Sequence, residues 1–289
     1  MRVGFLGFGL IGGSVARALR ARGRDWSIAA WTPTGIGPLA GQAAGVVDVV
    51  AARPEDAVAE ADLVVLAAPA PDCLALLDDL AGPWRAAMEP GAVVTDVAST
   101  KASIVLRATA LGLRFVGGHP MAGRDRSGFD VSEADLFVDR PWVVVPSTDD
   151  EAVARVEALA GATGARPVRM SAAAHDAAVA GISHLPLIAA VALVEAVAGG
   201  ADGVRGDWAA SAVLAAGGWR DATRVARGDV AMGTGIVATN APEIAVRVRA
   251  LVDALEAWLA ELERPGGPDP AAVERRLQAA RERLEAMPR

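Results

Sequence analysis

The chain offers few side chains for proton chemistry. Its 289 residues include three histidines (His119, His175 and His184), one lysine (Lys101), one cysteine (Cys73) and no tyrosine. At neutral pH a histidine is the side chain best suited to accept and return a proton. A catalytic tyrosine is excluded, and a lysine mechanism would have to use Lys101. One cysteine cannot supply the cysteine and histidine sets that hold zinc, and no metal is expected. Nor can it form an intrachain disulfide, which fits a reducing, cytoplasmic compartment.

A second group of residues opens the chain. Gly7-Phe8-Gly9-Leu10-Ile11-Gly12 has the spacing G-x-G-x-x-G and directly follows the apolar run RVGFL. The pattern alone is weak. Between a strand and a helix that begins at Leu10 and Ile11, it is the fingerprint of a dinucleotide site. Gly7 permits a tight turn, Gly9 lets backbone approach a pyrophosphate, and Gly12 lets helix and strand pack closely, with the helix N-terminus facing the anion. About 20 residues on, an acidic side chain would bind the ribose of NAD. That position holds Thr32, with neither a carboxylate to repel a 2′-phosphate nor an adjacent arginine to bind one. NAD and NADP both remain open.

The elements that must carry these residues follow from periodicity. Residues 2–6, 26–31, 63–67 and 92–97 read as strands, and helical stretches lie between them, notably one ending near Gly23 and one over 72–88. Strands also fit RFVGG, WVVVP and RPVRM, with a helix over 151–163. This alternation predicts a parallel doubly wound sheet. From Ser171 the pattern becomes helical. Ser171 caps a helix to about residue 197, kinked at Pro186. Helices follow near 207–226 and 241–263. After a break at 264–268, Asp269-Pro270 starts a last helix with Val273, Leu277, Ala280, Leu284 and Met287 on one stripe. The expected fold is an α/β Rossmann-type N-terminal domain, residues 1–170, with an all-α C-terminal domain, residues 171–289.

The net charge of −7 argues against a nucleic-acid surface. The chain starts directly on its first strand, so no signal peptide is expected. Residues 177–194 carry no formal charge, the length of a marginal membrane span. They include Ser183, His184 and Pro186, and a buried helix explains them better than a membrane does. Such a helix needs cover around nearly its whole circumference, more than a small helical domain provides, and this predicts an obligate homodimer through residues 171–289.

Four further segments stand out: Asp96-Val97-Ala98-Ser99-Thr100-Lys101 after a strand, Gly117-Gly118-His119-Pro120-Met121-Ala122-Gly123 after the next, Gly181-Ile182-Ser183-His184-Leu185-Pro186, and Gly217-Gly218-Trp219-Arg220-Asp221-Ala222-Thr223-Arg224. Together with the glycine turn they resemble the prephenate/arogenate dehydrogenase family of tyrosine biosynthesis, over roughly residues 2–260. The resemblance implies oxidative decarboxylation of prephenate or arogenate, with hydride passing from C4 of the ring to NAD or NADP and carbon dioxide leaving C1. It also implies a dimer joined through the helical domains.

By the same resemblance His119 is the base for the C4 hydroxyl, Ser99 binds near that hydroxyl, and Arg224 binds the ring carboxylate, as a guanidinium is suited to do. A plain turn or cap would otherwise explain His119 and Ser99. Arg220 and Asp221 read as a supporting ion pair. Lys101 reads equally as a pocket residue or a solvated side chain at a helix start. His184 is a candidate substrate contact, and His175 reads as structural. Three positions depart from the family pattern: Leu187 stands where a second histidine is common, Gly233 where a tryptophan is common, and Arg124 where a small polar residue is common. These leave open a dehydrogenase of a modified cyclohexadienol, or a dinucleotide-binding regulator without activity.

Overall fold

The computed structural model describes residues 1–23, 25–124, 126–199 and 208–287. By packing, the chain divides into two compact units, Met1–Ile244 and Ala245–Arg289. The boundary expected at 170/171 marks a change of sequence character, and side chains beyond it are bound into the first unit.

The first unit is built on a six-stranded parallel sheet of β1 (Arg2–Leu6), β2 (Ser27–Trp31), β3 (Val49–Val50), β4 (Leu63–Leu66), β5 (Val93–Asp96) and β6 (Phe115–Val116). The order is β3-β2-β1-β4-β5-β6, the doubly wound arrangement. Helices α1 (Leu10–Ala21), α2 (Ile36–Ala43), α3 (Pro54–Val58), α4 (Ala70–Ala81) and α5 (Ala102–Ala110) connect the strands. A second small sheet holds β7 (Gly118–Pro120), β8 (Pro141–Val144) and β9 (Arg166–Arg169), with α6 (Asp150–Ala162) between the last two.

Apolar runs bury both faces of the large sheet, as parallel strands require. Along β4 the side chains alternate: Leu63 and Val65 join a core with Val15, Leu19, Trp142 and Val156, while Val64 and Leu66 join a second core with Leu77, Leu80 and Ile104. Register then sets the site. Leu6 pairs with Trp31 and with Leu66, and Leu66 pairs with Asp96. The glycine turn, Thr32 and the Asp96–Lys101 segment therefore leave the sheet at one carboxyl edge.

The helical part opens with α7 (Ala172–Val179), capped as expected by Ser171, whose hydroxyl accepts from the Ala174 amide at 3.2 Å. A π-helical turn (Ala180–His184) and α8 (Leu185–Ala198) follow. Pro186 lies in the first turn of α8, where its missing N–H costs least. The wide turn absorbs the break that the sequence placed at Pro186. Next come α9 (Trp208–Val213), α10 (Gly217–Thr223), a 3₁₀ turn (Arg224–Arg227) and α11 (Val230–Leu262). The expected start at residue 207 lies outside the described residues. Helix α11 begins eleven residues before the expected 241; Asn240 leaves helical geometry (φ −130°, ψ 22°) two residues before Pro242, so the sequence showed only the part after this kink.

In the second unit α12 (Pro270–Glu285) starts at Asp269, whose carboxylate accepts from the Ala271 amide at 3.0 Å. Arg276 lies over the Trp258 ring at 4.3 Å. The stripe read on α12 is exposed at Leu277, Leu284 and Met287.

Gly12 faces Ala67 at the edge of the sheet. A Cβ there would lie 3.0 Å from Ala67 Cβ and 3.1 Å from the Gly7 carbonyl oxygen. Gly12→Val should therefore cost roughly 1–3 kcal/mol by overpacking and weaken dinucleotide binding. Thermal unfolding and a fluorescence titration check this; an unchanged Tm with unchanged affinity would contradict the packing.

Candidate active site

The glycine turn is built as the spacing requires. Gly7 has φ +95°, and a Cβ on it would collide with the Ala67 carbonyl. A Cβ on Gly9 would meet nothing nearer than the Gly128 amide nitrogen at 4.0 Å. Gly9 is the N-cap of α1, makes no side-chain cap, and is followed by Leu10 and Ile11 with no acidic residue in the first turn. Open backbone amides beside open space at a helix N-terminus suit a pyrophosphate. This cradle, which a larger residue at position 9 would fill, is where a dinucleotide would be held. Thr32 directly follows β2, and its hydroxyl accepts from the Gly35 amide at 3.0 Å, a bond that tightens the turn.

Two buried carboxylates organise the other side of the edge. Asp96 ends β5 and accepts from the Ala98 amide at 3.0 Å and from the Gly118 amide at 3.1 Å. Ala98 precedes Ser99 and Gly118 precedes His119, so one carboxylate draws both residues to the same place. Lys101 Nζ donates to Asp96, with both side chains fully buried. Burial pushes the Asp96 carboxyl up, while the ammonium and the two amides favour its charge. The solvated reading of Lys101 does not hold: its side chain is fully buried and its ammonium donates to Asp96.

Asp176, on α7, is the second carboxylate. It accepts from the Lys101 amide at 2.8 Å and the Ala102 amide at 2.8 Å. It thus caps α5 in place of Ser99, which stays partly exposed at the carboxyl edge. Burial pushes the Asp176 carboxyl up, but the His175 hydrogen bond and the two amides outweigh it and hold it below its usual range.

His119 and His175 are joined through Nδ1 and Nε2 at 2.8 Å, and His175 Nδ1 meets Asp176 Oδ1 at 2.7 Å. A carboxylate can only accept. His175 Nδ1 therefore carries a proton; with both rings neutral, its Nε2 accepts and His119 Nδ1 donates. That leaves the lone pair of His119 on Nε2. Confinement, then the Lys101 ammonium, then His175 and His184 hold His119 well below the ordinary histidine range, so it is neutral at pH 7. His175 is thus a hydrogen-bond partner of His119, where the sequence suggested a structural residue.

His184, placed inward by the π turn, is fixed the same way. Asn240 Nδ2 donates to the Asp176 carbonyl oxygen at 2.9 Å and faces His184 Nδ1 at 3.1 Å. The carbonyl fixes the amide's orientation, so His184 Nδ1 accepts and Nε2 carries the proton. That Nε2 is buried without a hydrogen-bond partner among the described residues. Burial lowers the His184 pKa to about 4. Thr100 and Thr239 hydroxyls, 2.8 Å apart, add a further link to α11.

Arg224 begins the 3₁₀ turn and is exposed. Arg220 and Asp221 are both exposed and form no ion pair with each other, because successive helical residues point to different faces. Leu187 and Gly233 are neighbours: a Cβ on Gly233 would lie 3.6 Å from Leu187 Cδ2. Arg124 pairs with Glu133. The sequence assigned no role to Asp96, Asp176 or Asn240 and made His175 structural. Their signals were a carboxylate ending an apolar strand, a His-Asp pair in the helix after Ser171, and an amide just before Pro242.

An open glycine turn and a neutral histidine at the same edge of a Rossmann sheet define a nicotinamide-dinucleotide-dependent dehydrogenase. Comparison with known proteins gives the family. The nucleotide-binding domain of prephenate dehydrogenase matches residues 15–169, and the dimerization domain of prephenate dehydrogenase matches residues 171–265. A prephenate dehydrogenase of Bacillus subtilis (strain 168) is 32% identical over 89% of this chain and 67% of its own. The crystal structure of Synechocystis arogenate dehydrogenase superposes with a TM-score of 0.78 at 30% identity, over 98% of this chain and all of that one. A prephenate dehydrogenase from A. aeolicus, solved with hydroxyphenyl propionate and NAD⁺, gives 0.86 at 25% identity, over 99% of this chain and 98% of that one. The chain belongs to the prephenate dehydrogenase family.

Removing one partner of a buried ion pair leaves the other charge uncompensated. Lys101→Met should lower stability by about 3–5 kcal/mol, read from urea unfolding. A change within about 0.5 kcal/mol, as at a surface position, would mean that Lys101 is solvated after all.

Proposed function

We propose that this enzyme oxidatively decarboxylates a 1-carboxycyclohexadien-4-ol, prephenate or arogenate, using His119 as the base. The carrying observation is the hydrogen-bonded chain from Asp176 through His175 to His119, which leaves an unprotonated Nε2 at the edge of the sheet that also bears the dinucleotide cradle. The bound nicotinamide, NAD or NADP, would accept the hydride from C4. His119 Nε2 takes the C4 hydroxyl proton as that hydride departs. Electrons of the C1–carboxylate bond then flow to the C4 oxygen as carbon dioxide leaves, and the resulting phenolate recovers its proton. Ser99, one residue from an amide held by Asp96, is assigned to the same hydroxyl. The buried His184 Nε2–H suits an acceptor on the substrate. Arg224 is assigned to the ring carboxylate, with Arg220 near the entrance.

We further propose that residues 171–289 form the substrate and dimerisation half and that the working form is a cytoplasmic homodimer. Segment Ala172–Ala198 contains an 18-residue window of mean hydropathy 2.1, yet only 22% of that window is buried in one chain. Its first turns are tied to the Rossmann part through His175 and Asp176, and a buried ionisable pair argues against a lipid span. A second copy would cover Ile182, Val191, Leu193 and Val197, all exposed in one chain.

Addition of prephenate or arogenate with NAD and with NADP should generate reduced nicotinamide; no turnover with either substrate would overturn the reading. His119→Asn should lower kcat roughly 10²–10⁴-fold with dinucleotide affinity unchanged. Because the His119 pKa is lowered, the unprotonated form persists as pH falls through the usual histidine range. The acid limb of kcat/KM should therefore lie below pH 6.5, and a limb above it would contradict the assignment.

Arg224→Ala removes a charge-assisted contact worth about 1.5–3 kcal/mol and should raise KM with little change in kcat; an unchanged KM would remove Arg224 from the site.

Sedimentation at low micromolar concentration should show twice the 29.4 kDa of one chain. A folded, active single chain would rule out the dimer.

A further inference from the structure

We propose that His175 and Asp176 form a proton store behind the base, so that the proton borrowed from the substrate hydroxyl stays inside the site until the product takes it back. The inference rests on the reading of His119 as that base and says where the charge goes next.

The geometry supplies each part. His119 Nδ1 and His175 Nε2 lie 2.8 Å apart and His175 Nδ1 lies 2.7 Å from Asp176 Oδ1; with both rings neutral, His119 donates to His175 and His175 to Asp176. The two imidazoles meet edge to face, at an interplanar angle of 75°. His175 and Asp176 are each 1% exposed, so solvent does not compete for the protons between them. The charged and titratable groups around His119 are Lys101 at the start of α5, His175 and Asp176 on α7, His184 on the π turn, and Asp96 on β5, whose charge Lys101 already offsets. A positive charge kept on His119 would face the Lys101 ammonium. The same charge moved to His175 lies directly against the Asp176 carboxylate.

The transfers balance. His119 Nε2 gains the hydroxyl proton while Nδ1 releases its own to His175 Nε2, giving a neutral His119 of the opposite tautomer and an imidazolium paired with Asp176. When the C1–carboxylate bond breaks, the phenolate oxygen takes the proton from His119 Nε2, and His175 returns its proton to His119 Nδ1. No proton is gained or lost over the cycle. His175 acts through His119 and is a positioning residue.

The test is a proton inventory: the single-turnover rate of nicotinamide reduction in mixtures of H₂O and D₂O. In the unmodified enzyme two protons move together, so the plot of rate against deuterium fraction should be bowed. His175→Gln can still accept from His119 Nδ1 but cannot hold a proton. It should turn over roughly 10²-fold more slowly, with a straight plot and with dinucleotide Kd and substrate KM within about twofold. A straight plot for the unmodified enzyme would overturn the store without any variant having to fold. A variant that keeps both the bowed plot and the rate would overturn it too. If instead His119→Asn keeps most of its turnover, the base assignment itself fails, an outcome distinct from the first two.

Discussion

Asp176 does three jobs at the junction of an α/β sheet and a helical segment. It caps α5 through the amides of Lys101 and Ala102, accepts the His175 N–H, and through its own backbone carbonyl fixes the Asn240 amide. A buried anion is tolerated only when its lone pairs are filled. The demand for donors is therefore what pulls α5, α7 and α11 together. With the rings neutral, the tautomers of all three histidines follow from it: His175 donates to it, His119 donates to His175, and His184 accepts from an amide that the Asp176 carbonyl orients.

Asp96 plays the complementary part on the sheet. Its ion pair with Lys101 is sealed from water, an arrangement that contributes little net stability but is costly to disturb. What it contributes is position. By binding the amides before Ser99 and before His119, it converts two loops leaving neighbouring strands into one rigid constellation. The glycines alongside serve the same end: a Cβ on Gly118 would lie 2.6 Å from the Asp96 carbonyl oxygen, and one on Gly117 would lie 3.4 Å from the Lys101 chain. The lone cysteine of the chain has no part in this chemistry. Cys73 is buried, and burial pushes its thiol up to about 12.

The sheet was legible because its information is local. Apolar runs, a glycine turn and helix caps at Ser171 and Asp269 depend on neighbours within a few residues, and the dinucleotide cradle follows from three glycines. His119 was singled out by motif. Its partners were not, because His175 and Asp176 lie more than fifty residues from His119 in sequence and on a helix rich in alanine, where a polar pair looks like an isolated core feature. Lys101 was misread for the same reason. A lysine at a helix start is usually solvated, and only the fold shows Asp96 turned toward it. The helix over 230–239 was hidden because the kink at Asn240 and Pro242 breaks the apolar period there. Arg224 and Arg220 are exposed in one chain, and their neighbourhood in an assembly is not a property of one sequence's periodicity.

The central claim is that Asp176 dictates the proton positions of the histidines, and with three histidines in the chain it can be read directly. Long-range ¹H–¹⁵N correlation on protein labelled with ¹⁵N-histidine distinguishes the protonated ring nitrogen of each. At pH 7 the account predicts His119 and His175 protonated at Nδ1 with a bare Nε2, and His184 protonated at Nε2 with a bare Nδ1. A proton on His119 Nε2 at that pH, whether as the other tautomer or as an imidazolium, would contradict it.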